Sequence, residues 1–165
     1  MVAKDSAALT VTTPTDREIV ITRVFDAPRR LVFEAYTNPE HLRHWMLGPP
    51  GWTMPVCEVA LRPGGAWHFG WRNSDGTEME MRGVYREVRP PERLVSTESW
   101  GGDWPEILNT LTLSEENGKT TITITLLYPS KEARDAALKT GMKEGMTLSF
   151  NRLAERLGAM AQGKS

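Results

Sequence analysis

The first part of the chain changes from strand-like to helix-like spacing of its apolar residues. Arg17–Phe25 (REIVITRVF) is rich in β-branched residues and partly alternating, which predicts a strand. Leu31–Tyr36 has helical spacing, with Asp26 as the predicted N-cap and Pro28 in the first turn. Asn38, followed by a proline and an acid, predicts the start of a second short helix.

That second helix runs into an unusual segment, HWMLGPPGWTMP (residues 44–55). Leu42, Trp45 and Met46 share one helical face, and the glycines and prolines that follow end the helix. Trp52 and Met54 then have the alternation to point to the same side. A stiff loop that carries large apolar side chains is typical of a lid or wall of a cavity, and a plain hydrophobic plug is the alternative.

The middle of the chain alternates with period two and is divided by turn signals, which predicts an antiparallel meander. The predicted strands are Val56–Leu61, Ala66–Arg72, Thr77–Glu87, Leu94–Trp100, Glu106–Leu113 and Thr120–Tyr128. Helical spacing returns after Ser130, a predicted N-cap, and continues to Leu157, with Gly141 as a candidate break.

These elements predict an α+β helix-grip fold. A curved antiparallel sheet of about six to seven strands wraps around a long C-terminal helix, because that helix is the only element long enough to cover one face of the sheet. Two short helices follow the first strand. We expect a flexible leader over residues 1–16, with a short strand at LTVTT, and a single domain over residues 17–161.

Composition narrows the function classes. With 20 basic and 21 acidic residues the net charge is −1, and the absence of a basic run argues against nucleic acid as a partner. No apolar run is long enough for a membrane span or a signal peptide. The single cysteine, Cys57, fits a reducing cytoplasm and predicts a buried, inert thiol. Six tryptophans and eight methionines are many for 165 residues.

Several motifs in this order resemble the START-like (Bet v-like, SRPBCC) helix-grip superfamily. Within it, the chain is similar to the family homologous to the C-terminal domain of the activator of heat-shock protein 90 ATPase. The residues that carry the resemblance are ITRVFDAP, TNPEHL, the Trp45 and Gly48-Pro49 region, LRPGG, DGTEMEMRGVYREVRPPERLV, SKEARDA and GMKEGM. The resemblance implies a ligand cavity between the sheet and the long helix, and it suggests a chaperone partner and a stress response as an alternative.

The chain departs from the family pattern at two places. The family usually has an aromatic residue where Met146 lies, and a shorter Trp-Trp-Gly-Pro segment where this chain has Trp45–Pro49. Both places touch the predicted cavity, so a ligand of a relative does not carry over.

Candidate chemistry is sparse. His41 and His44 have ligand-compatible spacing, but no third ligand completes a metal site, and we expect two partly solvated imidazoles. His68 is predicted on the outer surface. We predict no catalytic residue, no metal and no cofactor. Arg82 and the arginines that follow it, interleaved with glutamates, predict a salt-bridged surface, with a partner-binding patch as the alternative.

The aromatic and methionine residues form the candidate ligand-binding set, joined by two polar residues on the same parity, Glu98 and Asn109. The other members are Trp45, Met46, Trp52, Trp67, Phe69, Trp71, Met79, Met81, Tyr85, Trp100, Met142 and Met146. Core packing is the alternative for each apolar member. For Glu98 the alternative is an ion pair with Arg82, Arg86 or another surface arginine.

Three functions remain open at this stage. The first is binding of a small hydrophobic molecule, aromatic or lipid-like, oriented by Glu98 or Asn109. The second is a co-chaperone that stimulates a heat-shock ATPase; against it, residues 1–16 are too short to supply the separate N-terminal domain of the activator. The third is a cyclase- or hydrolase-type enzyme, with Glu98 as the acid or base and Tyr85 as its helper.

Overall fold

Eight strands form one antiparallel sheet in the computed structural model, which describes residues 8–162. The strands are β1 (Thr10–Thr12), β2 (Glu18–Phe25), β3 (Trp52–Val59), β4 (Ala66–Asn73), β5 (Glu78–Arg89), β6 (Arg93–Glu98), β7 (Ile107–Glu116) and β8 (Lys119–Leu127). Their spatial order is β1-β2-β8-β7-β6-β5-β4-β3. Six strands, from β3 to β8, therefore follow one another as a meander, and the first two strands complete the sheet beside β8.

Four helices accompany the sheet: α1 (Arg29–Thr37), α2 (Pro39–Trp45), α3 (Lys131–Leu138) and α4 (Met142–Ala161). The predicted α+β helix-grip architecture is confirmed, with eight strands in place of six to seven. The additional strand is β1, which lies within the predicted leader and pairs with β2 at the sheet edge. None of the helices within residues 8–162 has the length and apolar character needed to cross a bilayer.

Local signals set most helix ends as predicted, with one exception. Asn38 caps α2 by accepting a hydrogen bond from the Glu40 backbone N–H at 3.0 Å, and Ser130 caps α3 through the Ala133 N–H at 3.1 Å. Gly141, with φ of 78°, separates α3 from α4. The prediction that Asp26 caps the first helix is wrong, because α1 begins at Arg29 and the extended Pro28 occupies the N-cap position.

Strand β3 begins at Trp52, four residues before the predicted start. The pairing of β3 with β4 shifts register between Thr53 and Val56, and Pro55 lies in that irregular stretch. A proline is tolerated there because β3 is an edge strand and has a neighbour on one side only. Much of the apolar segment 44–55 is therefore part of the sheet edge.

The part of α4 from residue 149 to its C-terminal end packs against the sheet and the short helices. Phe150, Leu153 and Leu157 lie on one helical stripe and are buried. The ring of Phe150 lies 5.9 Å from that of Phe25 in an edge-to-face arrangement and 5.8 Å from that of Trp45. Aromatic packing of this kind, with fully buried aliphatic neighbours, fixes the helix to the sheet.

Candidate functional site

Strand β4 presents a row of three aromatic rings to the inner face of the sheet. Trp67, Phe69 and Trp71 alternate along the strand, and all three are buried. Ring centroids are 4.9 Å apart between Trp67 and Phe69 and 6.0 Å apart between Phe69 and Trp71. Gly83 of β5 lies opposite Trp67, and a Cβ atom there would come within 2.6 Å of the indole. The glycine therefore leaves the room that this ring occupies.

The chain that follows β6 folds a fourth aromatic ring over this row. Strand β6 ends at Glu98, and Trp100 stacks on Trp71 with centroids 5.7 Å apart and an interplanar angle of 15°. The Trp71 indole Nε1–H donates to the Met46 carbonyl oxygen at 2.7 Å. The two stacked indoles thus connect the sheet to the segment 44–55.

A carboxylate lies at the centre of this aromatic region. Glu98 is 8% exposed, and its two oxygens accept separate hydrogen bonds. Asn109 Nδ2 donates to Oε1 at 2.9 Å, and Trp100 Nε1 donates to Oε2 at 3.0 Å. No Lys, Arg or His forms an ion pair with Glu98 within the described part of the chain. The prediction that Glu98 faces inward among apolar groups is supported, and the alternative of a surface ion pair is wrong.

Burial is the main cause of the raised pKa values in this region. It raises the pKa of Glu98 above the ordinary value of 4.5, against the opposing effect of the bonds from Asn109 and Trp100. Burial, and secondarily the charge of Glu98, also raises the pKa of Tyr36 and raises that of Tyr128 to about 12. The phenols near Glu98 therefore stay neutral and offer O–H groups.

The segment 44–55 closes one side of the region by bonding to both sheet and helix. The Gly48 backbone N–H donates to Ser149 Oγ of α4 at 2.8 Å, while the Met46 carbonyl accepts from Trp71. Gly145 of α4 faces Pro49, since a Cβ atom there would lie 3.9 Å from Pro49 Cδ. This arrangement agrees with the predicted wall, and whether it contacts a ligand stays a prediction.

The candidate residues fall into three groups by position. The buried members are Trp45, Trp67, Phe69, Trp71, Met81, Tyr85 and Glu98. The half-buried members are Met46, Trp52, Asn109, Met142 and Met146. Met79 and Trp100 are 44% and 39% exposed. Their role in binding stays a prediction for the whole set.

Two members of the set have surroundings that differ from those of a cavity wall, one in the packed core and one in solvent. The indole of Trp45 donates to the Ala35 carbonyl at 2.9 Å and packs on Tyr36 and Phe150, which places Trp45 in the aromatic core. Met79 has the predicted parity but lies close to the turn between β4 and β5, where the side chain remains in solvent.

A recess of about 680 Å³ opens beside Trp100. Residues 100–105 form one wall, and Glu132, Ala133 and Ala136 of α3 form the other. Sequence patterns missed this recess because α3 and the loop are distant in the chain. Trp104, 43% exposed, also lines it. The cavity predicted between the sheet and α4 stays a prediction.

Sequence patterns predicted no role for Tyr36 or Tyr128 and did not indicate the unpaired donor of Trp67. Tyr128 continues the inward parity of Ile124 and Leu126 on β8, a signal that was present in the sequence. The Trp67 Nε1–H is buried and has no hydrogen-bond partner among residues 8–162. An unpaired buried donor is uncommon in native proteins and is a group that a ligand could satisfy.

The histidines depart from expectation at one position. His41 is buried, in contrast to the predicted solvated imidazole, because it lies between Glu34 and Arg156: Arg156 Nε donates to Nδ1 at 3.1 Å, and Nε2 lies 3.3 Å from a Glu34 oxygen. His44 is exposed. His68 lies on the outer face of β4 beside Glu80, as predicted. No cluster of metal-ligating side chains occurs within residues 8–162.

Two further predictions concern surface and thiol chemistry. Arg82, Arg89 and Arg93 form ion pairs with neighbouring glutamates, which agrees with a salt-bridged surface. Cys57 is buried, and burial raises the pKa of its thiol against the opposing effect of Arg43, as expected for an inert cysteine.

Comparison with known proteins places the chain in a family. The model of the Activator of Hsp90 ATPase homolog 1-like protein family matches residues 26–158. No curated protein matches the chain significantly.

Similar solved structures include a protein from Rhodobacter sphaeroides, 27% identical, with a TM-score of 0.87 over 92% of this chain and 98% of that one. Protein Ms6760 from Mycobacterium smegmatis is 26% identical, with a TM-score of 0.81 over 91% and 97% of the two chains. An AHSA1-like protein from Aeromonas hydrophila shares the fold at 18% identity, with a TM-score of 0.70 over 88% and 94%. Because the family model spans most of its length, the chain belongs to the Activator of Hsp90 ATPase homolog 1-like family.

Proposed function

We propose that the protein binds a small hydrophobic molecule, aromatic or lipid-like, between the sheet and α4, with Glu98 and the aromatic region around it as part of the site. The observation that carries this proposal is the position of Glu98: a buried carboxylate held by Asn109 and Trp100 on the inner face of an aromatic sheet. Burying such a group is unfavourable for folding alone, so its retention is more easily explained by a polar contact to a ligand.

The surroundings have the composition of a small-molecule site. Aromatic rings and methionines supply apolar surface, and a few polar groups converge on it. The unpaired Trp67 Nε1–H and the neutral phenols of Tyr36 and Tyr128 add donors. The family's fold commonly binds hydrophobic ligands, which supports the same function.

Binding of Nile red, a neutral dye whose emission shifts to the blue in apolar surroundings, tests the proposal. We expect saturable, one-to-one binding to the purified full chain. Met146→Trp adds bulk on the stripe that continues from Phe150 to Leu157, and should weaken dye binding while the melting temperature stays close to that of the parent.

Leu148→Trp is the matched control, because Leu148 lies two residues further along the same helix and is 38% exposed. This variant should bind the dye as the parent does. Non-saturable binding to the parent, or equal binding by both variants, contradicts a site between α4 and the sheet. Native mass spectrometry of protein taken directly from cells adds a direct search for a bound molecule.

Activation of a heat-shock chaperone ATPase is the alternative that the family's description suggests. Such a partner would contact the outer surface. An ATPase assay with the cognate chaperone and micromolar protein separates the two functions, since the Met146→Trp variant should leave chaperone activation unchanged.

A further inference from the structure

We infer that the ligand of this site is an organic cation: an apolar, aromatic-sized molecule that carries an ammonium group and places it against Glu98. This inference rests on the proposed function and names the chemical class of ligand. It rests on three features of Glu98: the charge of its carboxylate, the hydrogen-bond donors that contact it, and the aromatic rings beside it.

The hydrogen bonds to Glu98 fit the ionised form of the carboxyl group. Indole Nε1 of Trp100 can only donate, and Asn109 presents its Nδ2 donor, so each carboxylate oxygen accepts from a neutral group. A protonated carboxyl would need an acceptor for its own hydrogen; the indole of Trp100 cannot accept, and Asn109 turns its Nδ2 donor towards Glu98. Two neutral donors orient the charge but do not balance it.

Among residues 8–162, no side-chain cation forms an ion pair with Glu98. Within residues 8–162, every ion pair of the arginines on β5 and β6 lies at the surface with other glutamates. Glu98 is left as a buried anion without a counter-ion. Burial raises the pKa of Glu98, which is the direction expected of a carboxylate that lacks a positive partner.

The surroundings present the faces of aromatic rings, which attract cations. Trp71 and Trp100 stack beside Glu98, and Trp104 lies exposed further along the loop. An ammonium group over the face of an indole is stabilised by the ring quadrupole, most strongly where water is excluded. A carboxylate combined with indole faces is selective for an ammonium group over a neutral or anionic group.

The charged side chains that line the recess beside Trp100 are negative, as the Glu98 carboxylate is. The charged residues that line it are Asp103 and Glu132, and no Lys, Arg or His is among its lining residues. Its volume of about 680 Å³ is within the range of small-molecule sites. The recess would therefore attract a cation towards Trp100, which donates to Glu98.

Three probes with one carbon skeleton test the inference: phenylpropylammonium, phenylpropanol and phenylpropanoate. Isothermal titration calorimetry at neutral pH compares their affinities for the full chain. We expect the ammonium compound to bind about tenfold or more tightly than the alcohol, because charge-assisted hydrogen bonds are about twice as strong as neutral ones. The carboxylate compound should bind most weakly.

Glu98→Gln removes the charge and keeps the side-chain size. The variant should lose the preference for the ammonium compound over the alcohol. Glu116→Gln, which removes the same charge from the turn between β7 and β8, is the control and should keep the preference. Thermal melting confirms that both variants are folded.

The outcomes separate the inference from the proposed function. Equal or tighter binding of the alcohol, or a preference that survives in Glu98→Gln, overturns the cationic ligand class and leaves the binding function in place. The same holds if Nile red binds and none of the three probes does. Failure of Nile red and of all three probes overturns the proposed function itself.

Discussion

Helix α4 has different surroundings in a shorter N-terminal half, residues 142–148, and a longer C-terminal half, residues 149–161. In the C-terminal half, Phe150, Leu153 and Leu157 are buried, and flanking residues bond to other elements: Asn151 accepts from Arg23 Nη1 at 2.9 Å, and Arg156 donates to His41. This half is part of a closed core.

In the N-terminal half, Met142 and Met146 are half-buried and Leu148 is exposed. The apolar stripe continues here, but flexible methionine side chains form it. It faces the proline-rich segment 44–55 in place of a packed aromatic cluster. The difference indicates that the closed half supplies most of the stability, and the binding role of the open half stays a prediction.

The largest expected effect comes from truncating the closed half. Phe150→Ala should lower the free energy of unfolding by about 3–5 kcal/mol, because it leaves a cavity beside Phe25 and Trp45. Met146→Ala, one turn away on the same stripe, should lower it by only about 1 kcal/mol, since the side chain is already partly exposed to water. Urea unfolding measures both, and equal losses would remove the distinction between the halves.

Gly83 tests how tightly strands β5 and β6 fit around Trp67 on the inner face of the sheet. In Gly83→Ala the new methyl would lie 1.9 Å from the Thr97 carbonyl oxygen and 2.6 Å from the Trp67 ring. We expect a loss of about 2–3 kcal/mol as strand and ring move apart. Gly158→Ala is the control: nothing lies within 4 Å there, and a mid-helix alanine should raise stability by about 0.5–1 kcal/mol. A neutral result at Gly83 would mean that Trp67 moves freely.

Trp52 separates binding from stability in the segment 44–55. Because Trp52 is half-buried on an edge strand, Trp52→Ala should lower the free energy of unfolding by about 1.5 kcal/mol or less. The same change should weaken Nile red binding severalfold. If unfolding is strongly affected and dye affinity is not, the segment is core and not a wall.

Glu98 should give the smallest change in stability and the most specific pH dependence. Its folded-state pKa is raised, so its charge destabilises the folded state increasingly as pH rises above 4.5 and has no effect below that range. Glu98→Gln should therefore stabilise the protein at neutral and mildly alkaline pH, because it removes the buried charge whose desolvation raises the pKa of Glu98.

The gain in Glu98→Gln should disappear on acidification. Denaturation followed across the pH range gives the measurement, with Glu116→Gln as a control that shows no such trend. A variant that is less stable than the parent at every pH would show that the lost hydrogen bond outweighs the removed charge.

Period-two patterns predicted the sheet and the inward side of its strands. The parity of Glu98 and Asn109 was correct because β6 pairs regularly with β7, from Arg93 opposite Thr112 to Glu98 opposite Ile107. The register shift on β5 comes only after Tyr85, so it leaves the inward parity of Met81 and Tyr85 intact. A strand pattern is reliable where the ladder is continuous.

Features that depend on distant partners could not be predicted from local patterns. The burial of His41 depends on Arg156, which is 115 positions away. Trp100 lies beyond the end of β6, where alternation no longer predicts direction, and its position is set by stacking on Trp71. The recess forms only where α3 and the loop 100–105 meet, and no local pattern of apolar residues predicts that contact.

The nearly parallel stack of Trp71 on Trp100 also has an optical consequence. Two indoles with centroids 5.7 Å apart and planes inclined by 15° are close enough for their electronic transitions to couple. Where the two transition moments are oblique, such a pair gives a paired positive and negative band in circular dichroism, which changes when either ring turns away. Trp100 also donates to Glu98, so the protein contains an intrinsic, label-free reporter of any molecule that rearranges the carboxylate.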